Sequence, residues 1–424
     1  MHMTKEFRYL MYLFSCGAKG IKAKNPDRDV SWDTVLMLAK EQSIYHTVLY
    51  AIKLMEDCSL PESEKAPLLT TLKNDAIRFY IQQAQLMELL SGIESQGVPV
   101  ILLKGYDVAR YYAFPYGRIS GDDDIYVEPQ YERKVQYILK QHGYKVRPRD
   151  KRSHHAICEH PFRAPLELHV VLYDKIIEDV WFGGANRIGF VQEPVEINTT
   201  EQGSYCALGK TDNSVFLFLH MIKHFIEGGM SLRLIMDFVL YLSRNKALID
   251  WSRVRHVMEI LKYDYFMDAI LNIAVRYFSF DAGDFFGIKI IQEEGIETLI
   301  NDMEVGGWLG ANSKAMREQG WHEYNRLRYL ENRGGNGYKR YMLSWNAKGY
   351  IKQLFPSKRN LYVSFPYAKK SILLLPVAWL HRLVVKGIPH VLKGRLLSYT
   401  VDGETDLNDI AKERVKLFRQ LKII

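Results

Sequence analysis

The stretch ILLKGYDVARYYAFPYGRISGDDDIYV, residues 101–127, decides the fold of this chain. It begins with an apolar run that is typical of a buried strand, and it ends with three aspartates, Asp122–Asp124, followed by a second apolar run. The interior of a strand is an unfavourable place for carboxylates unless another interaction compensates for their lost hydration. A bound metal cation is the most economical explanation for these aspartates.

The three aspartates divide between the two faces of the predicted strand. Side chains alternate along a strand, so Asp122 and Asp124 are expected on one face and Asp123 on the other. Two carboxylates on one face can share hard cations through their oxygen atoms, and such cations could orient a triphosphate and activate an attacking oxygen. An acidic turn is the alternative interpretation of the same pattern.

A third carboxylate comes from the apolar segment LELHVVL, residues 166–172. Glu167 lies within this predicted strand, where an isolated glutamate is costly unless it is paired or bound to metal. His169 follows two residues later and therefore lies on the same face, where it could orient Glu167 or contact a substrate. The alternatives are an ion pair of Glu167 with Arg163 or another cation, and a structural role for His169.

The start of the opening stretch offers groups that could bind phosphate. Gly105 would let backbone N–H groups approach a phosphate, and the short helix predicted after it would add its positive N-terminal end. Lys104 could contact phosphate as a point charge, and Arg118 is a further candidate. The alternatives are a surface lysine and a solvated arginine in a turn.

The composition of the 424 residues is that of an ordinary globular protein, with 47% hydrophobic and 25% charged residues. The length exceeds that of one ordinary core and predicts about two to four structural units. The formal net charge of +8 suits an anionic partner such as a nucleotide, a nucleic acid or an acidic membrane surface. Ordinary solvated surface charge is the alternative.

The cysteines and the apolar runs indicate where the protein resides. None of the four cysteines belongs to a CxxC pair, so they predict no zinc site and are typical of a reduced, cytosolic protein. The N-terminus lacks the features of a secretory signal, and no apolar run reaches the roughly 18 residues that span a bilayer. We therefore predict a cytoplasmic protein without a transmembrane segment.

The pattern along the chain predicts an α+β protein in which helical regions flank a small mixed β-sheet. A helix is expected to run from an N-cap at Ser31 to Met55, and a second long helix to end at Gly97. A further helical pair is broken at Gly228–Gly229. The predicted parts are an N-terminal helical region, a sheet-containing core, a helical domain and a basic, aromatic C-terminal extension, over residues 1–96, 97–200, 201–305 and 306–424.

These motifs together resemble a known family. The segments LLKG, YYAFPYGRISGDDDIYV and LELH are similar to the uncharacterised nucleotidyltransferase family of the polymerase-beta-like superfamily. The downstream segments HMIKHF and LRLIMDF resemble the later helices of that family, and the tail from Leu354 to Arg382 resembles a C-terminal extension of some members. The matching positions are Lys104, Gly105, Tyr112, Pro115, Arg118, Gly121, Asp122, Asp124, Glu167, His169, His220, His224, Arg233 and Asp237.

The resemblance implies a nucleotidyltransferase core and a metal-dependent transfer of a nucleotidyl group from an NTP, with ATP as first candidate, to an acceptor hydroxyl of a small molecule, sugar or protein. Pyrophosphate would be released. Mg²⁺ or Mn²⁺ is the implied cofactor. The implied catalytic and metal-binding residues are Asp122, Asp124 and Glu167. Lys104, Gly105, Arg118, Ser120 and Gly121 would bind the nucleotide, and His169, His224, Arg233 and Asp237 are candidate substrate contacts.

Other interpretations remain open at this point. The superfamily's glycine-serine or glycine-glycine pair is Gly105–Tyr106 here, which motivates a non-catalytic nucleotide-binding or scaffold protein as an alternative. The positive charge motivates an RNA-modifying nucleotidyltransferase, which is less favoured because the core lacks interleaved aromatic and basic residues. Arg233 and Asp237, four residues apart on a helix, could simply form an ion pair. The tail could pack on the protein or contact a membrane interface.

Overall fold

The computed structural model describes residues 3–60, 62–147, 149, 153–183, 192–291, 293–306, 324–329, 365–369, 371, 374–382 and 409–424. The chain divides into two compact units, one of Met1–Trp321 with Glu413–Ile424 and one of His322–Lys412. Most of the predicted C-terminal extension lies outside the described residues, but the segments FPYAKK and PVAWLHR, proposed for a membrane interface, are described except for Lys370. Among the residues described, no helix is both long enough and apolar enough to cross a membrane.

The N-terminal region is helical, as predicted, but its first predicted helix is interrupted. Ser31 caps a helix as expected, with its side chain accepting a hydrogen bond from the Thr34 N–H at 3.4 Å. The chain then turns at Ser43, whose φ of 54° is left-handed, so one predicted helix becomes two. Gly97, also at positive φ, follows the long helix as predicted. The helices are α1 (Lys5–Lys19), α2 (Trp32–Glu41), α3 (Tyr45–Leu54) and α4 (Glu62–Ser95).

Helices α1 and α3 approach each other closely at Gly17. A Cβ atom added there would lie 2.2 Å from the carbonyl oxygen of Thr47, which is impossible without movement of the backbone. The contact therefore explains a glycine inside a helix, where it would otherwise be unfavourable by about 0.5–1 kcal/mol relative to alanine.

The substitution Gly17→Ala is expected to lower the free energy of unfolding by about 1–3 kcal/mol, because the methyl group overpacks a rigid contact. Gly92→Ala in α4 is the matched control, since a Cβ there would meet its nearest neighbour at an ordinary 3.5 Å. The control should be neutral or stabilising. Thermal melts of both variants test this, and equal effects from the two substitutions would contradict it.

The sheet has seven strands in the order β3-β4-β5-β2-β1-β7-β6. The pairs β2–β5 and β1–β7 are parallel and the others are antiparallel, so the predicted mixed sheet in an α+β fold is confirmed. Because β1 pairs with β7, the sheet extends beyond residue 200, where the sequence placed the end of the sheet-containing core. The strands are β1 (Ile101–Leu102), β2 (Asp123–Tyr126), β3 (Lys145–Val146), β4 (His155–Glu159), β5 (Leu166–His169), β6 (Glu196–Thr200) and β7 (Gly203–Ala207).

The two faces of the sheet differ in chemistry. One face packs on α4 and on α6 (Glu132–Gln141) through a buried apolar cluster that includes Leu102, Ile125 and Leu168. Because side chains alternate, the neighbours of these residues along each strand point to the other face. That second face carries polar residues of the three adjacent strands β2, β4 and β5: Asp124, His155, Glu167 and His169.

The remaining described helices follow the sheet in the chain. The predicted break between two helices at Gly228–Gly229 is present, and Ser231 caps the second of them. Arg414 donates hydrogen bonds to the carbonyl oxygens of Phe225 and Gly228, so the C-terminal residues pack on the first. These helices are α7 (Lys210–Glu227), α8 (Leu232–Asn245), α9 (Trp251–Leu261), α10 (Asp264–Tyr277), α11 (Glu293–Gly306), α12 (Leu375–Arg382) and α13 (Asp409–Gln420).

Candidate active site

Asp124 lies at the centre of a charged cluster on the polar face of the sheet. It is fully buried, and the parallel register of β2 and β5 places it directly opposite Glu167. The His169 Nε2 atom is 2.9 Å from Asp124 Oδ1 and 3.5 Å from Glu167 Oε2. The structure thus brings together three side chains that the sequence placed on two separate segments.

The side chains of this cluster shift one another's pKa values toward their charged forms. Burial opposes ionisation of Asp124, but Lys104 and the hydrogen bond from His169 hold its pKa well below the ordinary value. Burial likewise opposes ionisation of Glu167, and the His169 hydrogen bond lowers its pKa. Burial disfavours the imidazolium of His169, yet hydrogen bonds to both carboxylates raise its pKa. Both carboxylates are therefore ionised at neutral pH, and His169 Nε2 is the hydrogen-bond partner of Asp124 Oδ1.

The other two aspartates lie on either side of Asp124 in the chain. Asp122 is half-buried, and burial together with the charge of Asp124 raises its pKa. Asp123 lies on the apolar face with Ile125, where burial and the two neighbouring aspartates raise its pKa to about 8. The alternation therefore separates Asp123, which is largely uncharged at neutral pH, from the Asp124 cluster.

Lys104 connects this cluster to α7. Its ammonium nitrogen is 3.1 Å from Asp124 Oδ2 and 3.3 Å from His220 Nε2, so it is not the surface lysine of the alternative interpretation. Lys104 and Gly105 both have positive φ, at 25° and 60°, which makes the turn after β1 tight and strained. The helix that follows, α5, spans only the four residues Tyr106–Ala109. The expected contribution of a helix N-terminus to phosphate binding is therefore small.

Arg118 and Asp237 form a buried ion pair. The Arg118 Nη2 and Nε atoms donate to the two carboxylate oxygens of Asp237 at 2.7 and 3.2 Å, and the Tyr112 hydroxyl donates to Asp237 Oδ1 at 2.7 Å. Arg118 is thus not a solvated turn residue. The predicted ion pair of Arg233 with Asp237 is replaced by this arrangement, and Arg233 Nη1 donates to the Ile119 carbonyl at 2.7 Å.

The Arg118–Asp237 pair and Arg233 together fix the loop that leads to the aspartates. Asp237 holds Tyr112 and Arg118 of this loop, and Arg233 holds the carbonyl of Ile119. These contacts lie directly upstream of Ser120 and Gly121. Ser120 is half-buried, whereas Gly121 is exposed and a Cβ added there would meet no atom within 4 Å. The loop therefore presents open backbone next to Asp122.

Four further histidines among the described residues lie around the cluster, of which the sequence singled out His220 and His224 but not His154 and His155. His154 precedes β4 and His155 begins it, and the His155 Nε2 atom is 3.4 Å from Glu167 Oε1. On α7, the Nε2 atoms of His220 and His224 are 3.1 Å apart, and His224 is exposed. The signal that could have indicated His154 and His155 is an adjacent histidine pair at the start of a predicted strand.

Comparison with known proteins identifies the chain. A family model described as an uncharacterised nucleotidyltransferase matches residues 28–279. The chain belongs to this family. The resemblance found in the sequence is thus confirmed, and it makes the protein a transferase whose general chemistry is nucleotidyl transfer and whose substrate is a nucleotide. No curated protein and no solved structure matches the chain.

The family match covers the N-terminal helices from residue 28 as well as the sheet and helices α7 to α10. It ends before the tail, so the likeness of the tail to a C-terminal extension stays a prediction. The candidate site lies within the matched residues, since Lys104, Asp124, Glu167 and His220 all fall between residues 28 and 279.

Nucleotidyltransferases generally use divalent metals, and the carboxylates of this family member fit such ions. Asp122, Asp124 and Glu167 offer the oxygen ligands that hard cations prefer. Asp124 Oδ2 is buried and pairs with the Lys104 ammonium at 3.1 Å, and the flexible lysine side chain can move to admit a cation. The cluster therefore has carboxylate oxygens that remain available to a cation.

Proposed function

We propose that this enzyme transfers a nucleotidyl group from an NTP, with ATP as first candidate, to an acceptor hydroxyl and releases pyrophosphate. The observation that carries the proposal is the register that sets Asp124 opposite Glu167 on adjacent parallel strands. Asp122, two residues before Asp124, adds a third carboxylate beside them. Asp122, Asp124 and Glu167 would hold Mg²⁺ or Mn²⁺, which when bound would neutralise charge on the triphosphate and polarise it.

The cationic side chains around the carboxylates suit the triphosphate. Lys104 is half-buried, and its ammonium already reaches between Asp124 and His220. A small shift of this flexible side chain would let it pair with phosphate oxygens as a point charge. The open backbone at Gly121 gives further space in which N–H groups can approach phosphate.

Glu167 is the proposed acceptor of the proton. It is ionised at neutral pH and its side chain is 24% exposed, so an acceptor hydroxyl can reach it. In the proposed step the hydroxyl oxygen attacks the α-phosphorus, the bond from this phosphorus to the bridging oxygen breaks, and pyrophosphate leaves. The hydroxyl proton passes to Glu167. His169 keeps both carboxylates in place through its hydrogen bonds and acts as a positioning residue.

A thermal-shift panel with four NTPs, each with and without Mg²⁺ or Mn²⁺, tests the proposal. A ligand that binds only the folded state raises the melting temperature by mass action. We expect a metal-dependent rise for the unmodified enzyme and no such rise for Asp122→Asn/Asp124→Asn. A rise that the double variant retains would place the nucleotide elsewhere.

The best nucleotide from the panel would then be incubated with acceptors from three classes: small molecules, sugars and proteins. Pyrophosphate release that requires one of these acceptors supports the transfer reaction. Tight metal-dependent binding without release across all three classes would instead favour the scaffold interpretation.

A further inference from the structure

We propose that His154, His155, Glu167 and His169 form a binding site for a transition-metal dication such as Zn²⁺, adjacent to the carboxylate site. Each of the four side chains offers one ligand atom such that all four atoms lie within 4.8 Å of one another. The two sites share Glu167, but this proposal does not depend on the reaction proposed above, because its test measures only which metal binds and which side chains hold it.

The sheet register brings these residues together. In the antiparallel pair of β4 and β5, His155 lies directly opposite His169, and His154 precedes it. The three imidazole rings are in mutual contact, with centroids 4.2, 5.0 and 5.3 Å apart. Rigid strands thus hold the ligands, which keeps the loss of side-chain entropy on metal binding small.

His154 lies beside a carboxylate, as metal-ligating histidines usually do. Asp174 Oδ1 lies 2.8 Å from His154 Nδ1 and accepts the His154 backbone N–H at 2.9 Å. A carboxylate beside Nδ1 favours the tautomer that carries its proton there, which leaves the lone pair on Nε2. That Nε2 atom lies 3.0 Å from His155 Nδ1 and 3.0 Å from Lys223 Nζ, so it faces the cluster.

His169 provides a second observation. It is buried, and its Nδ1 atom has no hydrogen-bond partner among the described residues. An unpaired buried nitrogen is costly, so a metal or another partner at this atom would relieve the cost. The ligand atoms of a tetrahedral zinc site lie about 3.3 Å apart, so small side-chain rotations would draw the four atoms together.

The donor set determines the class of metal. Three imidazoles and one carboxylate suit Zn²⁺ or a neighbouring first-row ion, whereas Mg²⁺ prefers oxygen ligands. The Lys223 ammonium would have to leave His154 Nε2, which its half-buried position on α7 permits. The Lys104 ammonium, 3.1 Å from Asp124 Oδ2, also opposes a cation and limits the affinity.

The test uses Co²⁺ as a spectroscopic probe on the 424-residue protein after removal of metals with a chelator. We expect visible absorption of protein-bound Co²⁺ that saturates at one ion per chain and that Zn²⁺ abolishes by competition. His155→Ala and His154→Ala should each weaken Co²⁺ binding at least about tenfold. His160→Ala, which removes a histidine just beyond the same strand, is the control and should leave Co²⁺ binding unchanged.

Two results would overturn the inference. One is Co²⁺ binding by His154→Ala and His155→Ala that is as tight as in the unmodified protein. The other is binding that survives both changes in the histidines but disappears in Asp122→Asn/Asp124→Asn, which would assign the ion to the carboxylate site. If either alanine variant melts early, His155→Gln and His154→Gln replace it in the same titration, with the same expectation.

Discussion

Replacing Asp124 with asparagine is expected to lower the rate of pyrophosphate release from an NTP by about 10³-fold or more. A metal ion contributes several kcal/mol of charge stabilisation in the transition state, and each 1.36 kcal/mol corresponds to a factor of ten in rate. Asp124 is the most deeply buried of the three carboxylates, and its oxygens lie 3.1 Å from the Lys104 ammonium and 2.9 Å from His169 Nε2. The neutral amide removes the charge with almost no change of volume.

Asp123→Asn is a closely matched control for this experiment. It is the same substitution on the same strand, one residue away, but Asp123 points to the apolar face of the sheet. Its raised pKa of about 8 means that the asparagine replaces a carboxyl group that is largely uncharged at neutral pH. The control should keep its rate within about a factor of a few.

Steady-state pyrophosphate release, measured with saturating metal for both variants, checks this expectation. Equal losses in Asp123→Asn and Asp124→Asn would mean that damage to the strand, and not loss of a ligand, explains the effect. Full activity of Asp124→Asn would remove Asp124 from the metal site. Circular dichroism of both variants separates misfolding from a local loss.

The features that the sequence predicted correctly are those that follow from local periodicity. The two-residue period of a strand separates Asp123 from Asp124, whatever the strand later pairs with. The break at Gly228–Gly229 and the end of α4 near Gly97 likewise follow from residues at those positions. Local rules fail at Ser43, where a serine adopts the left-handed conformation and the sequence carries no glycine to indicate it.

The contacts that the sequence could not predict join distant segments. Arg118 and Asp237 are 119 positions apart, and His154 meets Lys223 across 69 positions. No period in the sequence encodes such a pairing, because the tertiary fold decides which helix lies over which strand. The spacing of Arg233 and Asp237 fits an intrahelical pair, yet the bidentate geometry that Arg118 offers Asp237 is the stronger interaction.

The second large effect is expected from the buried pair of Arg118 and Asp237. Asp237→Asn should lower the free energy of unfolding by about 3–5 kcal/mol, because it leaves the guanidinium of Arg118 buried without a counter-charge. The Tyr112 hydroxyl would also lose its ionised acceptor, which weakens the hydrogen bond of a second buried donor. Thermal unfolding should therefore show a melting temperature lower by several degrees, and urea unfolding should show a lower midpoint concentration.

Asp29→Asn is the matched control, because Asp29 pairs with Lys5 and both side chains are more than half exposed, at 55% and 69%. Exposed pairs contribute at most about 1 kcal/mol, so this variant should melt close to the unmodified protein.

Charge and packing can then be separated with Arg118→Met/Asp237→Leu, which removes both charges and keeps apolar volume. If the lost counter-charge is the cause, the double variant should recover part of the stability that Asp237→Asn loses. A double variant less stable than Asp237→Asn would show that the hydrogen-bonded geometry of the loop, and not the burial of an unpaired charge, sets the cost.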